Sequence, residues 1–574
     1  MSVPPTSRAA LSVDTLASGR VVAVVALLAA SLLLPGLGAI DLWAPDEPRY
    51  AQVADELLDS PGRPTDLVLL RLNGEVYTQK PPLYFWLAAL VGAVDGRVDE
   101  VDARLPSALA GVAVAVLTAW LGRLLSGRWT TGLLAALVLL TLPRFAHQAR
   151  RAQLDVLLTL FELAALIAYV RIETLRIDVP PPAADRPPVR WLWVLHGAVA
   201  LALLTKGPVG ALPWLVIVVH RAIERRTASL RALFPIRGVA LALAPALAWA
   251  GAAIALSAPG YWHEAIVDNL FARFLVGTDH VRPFWYFAWQ LPLDALPWTP
   301  VMGAAAIALW RERSRSDTAA RIAALLFAWM LVFVLFFSLS AGKRGLYMLP
   351  LFPGLAVLAA WALTRWLDVG QLPMAFRAGA GAILLAISGL CLVLASGPPG
   401  IAMRAGIAEW PRAPIWSVTW VGISGAVALA LGPRSRHRAA LGIAATFASL
   451  LLLETIAFQR IQPLLDPQKS PRAIGRLVDD ATAPGERVGV FRHGAFTGGL
   501  EYYSQRRVVG LESAHDVERF VASGSRIVVV RERDLSSLVA GRPHGIRGAA
   551  RSGTRRLLVV ELLFPSRVSR PRTP

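Results

Sequence analysis

Long apolar runs separated by short charged segments dominate the first 460 residues of this chain. A membrane span needs about 20 apolar residues, fewer where neighbours bury it. Thirteen runs qualify: 21–40, 105–122, 130–143, 153–170, 191–205, 208–220, 238–257, 292–310, 321–340, 345–364, 378–396, 415–432 and 439–458. The first ends in "LPGLGAIDLW" without a small-residue cleavage site and is read as a retained signal anchor. A further segment, "PPLYFWLAALVGAV" (81–94), is short, aromatic and opened by two prolines, and is read as interfacial or re-entrant. From about residue 463 the pattern changes. Short apolar runs alternate with helical periodicity in "AIGRLVDDA", "RVGVFR", "GGLEYYSQ", "HDVERFVAS", "RIVVVRE" and "RRLLVVELL". The expected architecture is a polytopic α-helical membrane domain over 1–462, whose first outer loop (41–104) carries interfacial helices. A small α/β domain over 463–574 follows the breaker-rich linker "QPLLDPQKSPR".

Charge orients the spans. If 81–94 does not cross, alternate loops carry the arginines: Arg123 and Arg128, Arg171 to Arg190, "HRAIERRTASLRALFPIRG", "RERSRSDTAAR", Arg365 and Arg377, and "PRSRHR". The positive-inside rule then places these on the cytoplasmic side. It places the first loop, "FAHQARRAQLD", "TKGP", the loop 258–291, "SAGKRGLY" and the C-terminal domain outside. The chain of 574 residues is 55% hydrophobic and carries a net charge of +19, which this loop asymmetry explains without nucleic-acid binding. The single cysteine, Cys391, excludes an internal disulfide.

Against this background the polar residues at the outer ends of the spans carry the candidate chemistry. "DEPRYA" sets Asp46, Glu47 and Arg49 beside the lipid surface, where a carboxylate is costly unless it faces water or a cation. The acids also suit the first turn of a short helix, on which Asp55, Glu56 and Asp59 read as a solvated face. Only four of the 58 basic residues are lysines, and Lys80, Lys206 and Lys343 all fall at outer span edges. An ammonium is a compact point charge suited to a phosphate oxygen, although lysines at span ends also serve as anchors. "RRAQLD" places Arg151 four residues before Asp155, as either a salt bridge on one helical face or part of a site. The loop 258–291 adds His263, Glu264, Asp268, Arg273, Asp279, His280 and Arg282 among aromatics typical of an interface belt. Acids and phosphate-binding cations at an outer surface suit transfer of a group carried on a lipid phosphate. No nucleotide-binding fingerprint is present. A flippase of polyprenyl-linked lipids is the alternative; transporters place such residues at the midplane, between repeats.

"DEPRYA", "KPPLYFWL", "RLPSAL", "RAQLD", "TKGP" and "KRGLYMLPLFP" occur in this order between about residues 41 and 355. In that order they resemble the membrane glycosyltransferases of the GT-C class. The likeness is to the bacterial 4-amino-4-deoxy-L-arabinose transferases of lipid A and, more distantly, to protein O-mannosyltransferases. The resemblance implies a GT-C fold of about 13 transmembrane helices, a polyprenyl-phosphate sugar donor and an inverting transfer to lipid A, another glycan or a protein. It further implies Asp46 at the reaction centre with Glu47 beside it, Lys80 and Arg273 on the lipid phosphate, and Arg49 as a phosphate or structural contact. Asp155, Arg151, Lys206, Lys343 and Arg344 would line the cavity, closed by Tyr347. One departure stands out: Gln79 occupies the position where the arabinose transferases tend to have a glutamate able to hold a metal, so no metal site of that type is expected here.

Overall fold

The computed structural model describes residues 6–563 apart from 60–63, 178–186, 273–274, 276, 278–279, 397–411, 431–435, 494–495 and 553–554. Helix α1 (Thr6–Leu33) leads into α2 (Asp46–Leu58), a two-residue hairpin at 71–76, α3 (Leu83–Gly92) and α4 (Glu100–Ser126). At 1.5 Å per residue, the ten residues of α3 reach only about 15 Å, half the hydrocarbon thickness. It instead supports α2 from below, with Tyr84 and Phe85 fully buried and set edge-on to Tyr50 at 6.2 and 5.7 Å.

Among the described residues seven helices are long and apolar enough to cross a membrane, or eight if the pair Trp129–Leu140 and Pro143–Ala149, bent by 74°, counts as one span. This falls short of thirteen because several expected spans are short, charged or joined. Helix α5 (Leu154–Ile177) carries Asp155, Glu162 and Arg171, and the expected span 292–310 begins only at Thr299. The run Val189–Ile223 contains both 191–205 and 208–220. It reverses between α6 (Val189–Lys206) and α7 (Leu212–Ile223), because the His196 ring lies 5.7 Å from Trp214, impossible along one straight helix. Gly207 makes the turn at φ +69°, and Gly210 lies so close to α6 that a Cβ there would stand 2.4 Å from the Ala202 carbonyl carbon.

The two ends of this bundle differ in chemistry. Arg128 pairs with Asp368, Arg365 with Glu312 and Arg221 with Glu173, so the arginine-rich ends of separate helices meet. Asp155 lies about 27 Å along α5 from Glu173, at the opposite end, where Arg104, Lys206 and the loop before α2 also gather.

Beyond the last span the chain runs through Gln462–Lys469 and Arg472–Ala481 into a five-stranded sheet. Its strands are β1 (Val488–Phe491), β2 (Val508–Leu511), β3 (Ile527–Arg531), β4 (His544–Ser552) and β5 (Arg555–Leu562), in the order β2-β1-β3-β5-β4. The first three are parallel, β5 adds antiparallel to β3, and β4 adds antiparallel to β5. Val488, Val490 and Val529 pack with Ile474, Val478 and Leu500 on one face, while Val528, Val530 and Val560 pack with Val517, Phe520 and Leu538 on the other. Burial on both faces explains the unbroken apolar strands. From this domain α8 (Thr497–Ser504) lies against α2.

Replacing Gly210 by Val should push the 207–211 turn off α6 and lower stability by about 1–3 kcal/mol. The check is the thermal midpoint of the full-length protein in detergent.

Candidate active site

Asp46 and Glu47 are neighbours in sequence with different surroundings. Both open α2 behind Pro45, and no side chain caps that turn. The Glu47 carboxylate is 2% exposed and fully engaged. It accepts from Arg104 Nε at 2.8 Å and Nη2 at 3.1 Å, from Arg151 Nη1 at 2.5 Å, and from the backbone amides of Ala152 at 2.9 Å and Trp43 at 3.1 Å. Arg104, itself fully buried, also donates to the carbonyls of Leu37, Ile40 and Asp41. Burial pushes the Glu47 carboxyl up, but the charges of Arg104 and Arg151 outweigh it and hold its pKa far below the ordinary value. With its acceptor positions filled, Glu47 fastens the turn before α2 to α4 and to the 151–152 turn.

Asp46 is less completely engaged. Its Oδ1 accepts from Arg49 at 2.5 Å and its Oδ2 from both terminal nitrogens of Arg344 at 3.1 Å, with Gln153 Nε2 at 3.5 Å. Burial again opposes ionisation, and again cations prevail, here Arg344 and then Arg49, so the pKa of Asp46 lies below the usual carboxylate range. Burial also disfavours the charge on Arg344, which Asp46 and then Asp155 restore. Asp155, at the start of α5, pairs with Lys206 at the end of α6, and the Lys206 ammonium lies 4.8 Å from the centre of the Tyr347 ring. Arg49 and Arg344 thus meet on Asp46, and Lys206 stands between Asp155 and the Tyr347 ring, with the buried Glu162 on the same helix as Asp155.

Local sequence explains this convergence. In "RLPSAL", Arg104 reaches Glu47 and, one turn on, Ser107 Oγ donates to the Gln153 carbonyl at 2.6 Å, which sets Gln153 beside Asp46. In "KRGLY", a Cβ on Gly345 would stand 2.7 Å from Asp294 Oδ2, so glycine lets Arg344 pass the Arg144–Asp294 pair at 2.6 Å.

Several sequence expectations are corrected. Arg151 does not pair with Asp155, because α5 starts only at Leu154 and Arg151 lies in the turn before it. It engages Glu47 and stacks 3.9 Å from the centre of Trp43. Asp55 and Glu56 are not a solvated face: Asp55 accepts from the Val98 amide at 2.7 Å, and Glu56 accepts from the amides of Asn73 and Gly74 at the 71–76 hairpin. The Lys343 ammonium donates to the carbonyls of Ser340 and Arg282, which directs it at backbone. Lys80 is half-buried in the turn before α3, and that turn is tied to the loop 258–291 by Thr78, which donates to Glu264 and accepts from Asn269. In that loop His263 faces Asp268 at 3.9 Å, both exposed, while Arg273 and Asp279 lie outside the described residues. Trp262, Phe284, Trp285 and Trp289 are exposed, as belt residues are. Among the described residues no three His, Cys, Asp or Glu side chains converge on a metal-sized site, Gln79 contributes a neutral amide, and the carboxylates of Asp46 and Asp155 already hold cations.

Sequence reasoning passed over Arg104 and Gln153. The signal for Arg104 was an arginine at the mouth of an apolar span, which needs a buried acid. Gln153 carried none. The fourth lysine, Lys469, also reaches this end of the molecule, 4.6 Å from the Trp43 ring.

Comparison with known proteins follows the same lines. Residues 20–228 match the family described as dolichyl-phosphate-mannose-protein mannosyltransferase. The undecaprenyl phosphate-alpha-4-amino-4-deoxy-L-arabinose arabinosyl transferase of Erwinia tasmaniensis is 30% identical over 363 residues, 63% of this chain and 62% of that one. The enzyme of the same description from Pseudomonas savastanoi pv. phaseolicola is 32% identical over 353 residues, 60% and 62% of the two chains. The match thus spans about three fifths of the length of these relatives. Among solved structures, ArnT from Cupriavidus metallidurans bound to undecaprenyl phosphate superposes with a TM-score of 0.73 at 20% identity, covering 94% of this chain and 97% of that chain. The archaeal oligosaccharyltransferase AglB from Archaeoglobus fulgidus superposes with a TM-score of 0.52 at 13% identity, covering 91% and 70%. The expected likeness is borne out, and the fold is that of ArnT-like GT-C membrane glycosyltransferases.

Glu47→Gln should leave two buried guanidiniums without their counter-charge and destabilise the protein by about 3–5 kcal/mol, read as a lowered thermal midpoint. The depressed pKa of Glu47 stabilises the fold above its unfolded value of 4.5, and this contribution is lost as pH falls below that value. Acid unfolding between about pH 5 and 3 should therefore be steeper in the wild type than in Glu47→Gln.

Proposed function

We propose that this chain, sharing its fold with ArnT-like GT-C enzymes, is a glycosyltransferase that moves a sugar from a polyprenyl-phosphate donor to an acceptor at the outer face of a bacterial cytoplasmic membrane. The observation that carries this reading is Asp46 held between Arg49 and Arg344, with the Lys206–Asp155 pair at the same end of the bundle, opposite the arginine-rich loops. The positive-inside rule supports an extracytoplasmic position for that end, and the C-terminal sheet domain shares it.

In the proposed reaction the acceptor oxygen attacks the anomeric carbon of the donor, and the bond from that carbon to the phosphate oxygen breaks with inversion. Its electron pair leaves on the polyprenyl phosphate. Lys206, Arg344 and Lys80 are the cations assigned to the departing phosphate, with Arg273 as a further candidate on the same loop system. Where the acceptor is a hydroxyl, its proton passes to Asp46, and a carboxylate kept ionised by two arginines is ready to receive it. Where the acceptor is a phosphate oxygen, no proton need move, and Asp46 orients the attacking group through its arginines. Tyr347, its ring 5.1 Å from that of Phe337 and lying against Lys206, forms the wall behind the phosphate. No step is routed through a metal. Relatives named for undecaprenyl phosphate-linked aminoarabinose make a lipid-linked pentose the first donor to test, with lipid A, other glycans and protein as acceptors.

Mass spectrometry of envelope lipids and glycans from cells with and without the protein should reveal one species that loses a sugar. With the donor identified, Asp46→Asn should retain folding and lose transfer by about 10²–10⁴-fold. Transfer at the wild-type rate by that variant would remove the carboxylate from the mechanism.

A further inference from the structure

The residues on both sides of Asp46 are held from the C-terminal domain. Before it, Asp466 accepts from the Asp41 amide at 3.0 Å and from Trp43 Nε1 at 2.7 Å, while Arg472 donates to Asp41 at 2.7 Å and to Glu100. Tyr503 Oη accepts from the Leu42 amide at 2.7 Å and donates to Glu100 at 2.9 Å, and Tyr502 Oη donates to the Val98 carbonyl at 2.7 Å. After it, α8 meets the first turn of α2 through two glycines. A Cβ on Gly498 would stand 3.1 Å from the Arg49 Cβ and 3.4 Å from its Cα, and one on Gly499 would stand 2.9 Å from Pro471 and 3.5 Å from Pro48. Neither glycine has positive φ, so backbone strain does not require them. Close approach does. The residue that Gly498 touches is Arg49, the partner of Asp46 Oδ1.

We propose that α8 is a positioning element for the reaction centre: Gly498 and Gly499 let it seat on Pro48 and Arg49, and that contact, clasped by Arg472, Tyr502 and Tyr503, fixes the Arg49–Asp46 pair. The inference rests on the transfer reaction proposed above, and assigns the C-terminal domain a part in it. The first turn of α2 has no side-chain cap of its own, so its placement is set from outside: by Glu47 on the membrane side and by α8 on the other. A reacting group displaced by about 1 Å can cost 10²-fold in rate, so a helix that stops this turn from tilting acts on turnover more than on substrate binding.

The test uses the full-length protein with Gly498→Val, which wedges α8 away from Arg49, and Arg472→Ala, which opens the clasp without inserting bulk. Gly510→Ala serves as a control in the same domain, where a Cβ meets nothing within 4 Å. For Gly498→Val the expected result is a fall in kcat of about tenfold or more, with KM for the polyprenyl-linked donor changed by no more than about twofold. Arg472→Ala should fall in the same direction by less, and Gly510→Ala should match the wild type. Hydrogen–deuterium exchange supplies a readout that needs no activity: the segment 46–58 should exchange faster in both variants than in the wild type. Unchanged exchange over 46–58 in both variants overturns the proposal, as does a kcat per folded molecule equal to that of the wild type. A wild type that transfers no sugar from any polyprenyl-phosphate donor sinks the functional reading alone, and the exchange data still decide the positioning role.

Discussion

Glu47 is where three separate stretches of this protein are tied together. An ionised carboxylate away from water is stable only when its lone pairs are occupied and a positive group stands close. Here two guanidiniums and two backbone amides meet both conditions. The demand runs in both directions, because Arg104 at 0% exposure needs Glu47 as much as Glu47 needs it. Residues 43 and 47, the mouth of α4 and the turn before α5 are thereby held at fixed separations. Asp46 takes its position from that knot, one residue away but turned toward Arg49 and Arg344. Two adjacent carboxylates thus divide two tasks, one filled on every side and one left able to exchange a partner.

The same economy of charge shapes the whole bundle. Arginines at one end pair with carboxylates across helices near solvent, where such pairs contribute little to stability. At the other end Arg49, Arg344 and Lys206 are buried or half-buried beside Asp46 and Asp155. In the proposed transfer these cations would meet the negative charge that develops on the leaving group. The lysines gather there, and the structure sorts them by use: Lys206 faces an acid and an aromatic ring, Lys343 faces carbonyl groups, and Lys469 covers Trp43.

The C-terminal domain has a complete core of its own, with apolar side chains on both faces of its sheet. A unit that stable can act as a rigid platform, and its contact with the membrane part is concentrated on the loop and helix that surround Asp46. The contact combines hydrogen bonds to backbone amides and carbonyls, the Arg472 ion pairs, Tyr502 and Tyr503 packed among small apolar residues, and two glycines that permit close approach.

Much of the architecture was legible from hydropathy, because burial in lipid demands long apolar runs and an α/β core demands short ones. The short segment 81–94 could be recognised as no span from its length and prolines, and its helix of ten residues bears this out. Residue types at the span mouths pointed to Asp46, Asp155 and Lys206, and the family resemblance added Arg49, Arg344 and Tyr347; the folded chain brings them to one end of the bundle. What sequence could not reveal was pairing. Spacing suggested Arg151 with Asp155, yet each found a partner far along the chain, since side chains at a helix mouth answer to neighbouring helices more than to their own. The division of labour between Asp46 and Glu47 belongs to the same class. Type and pattern come from the chain itself, whereas which charge is filled and which is open depends on distances across the bundle, and these exist only once the helices have packed.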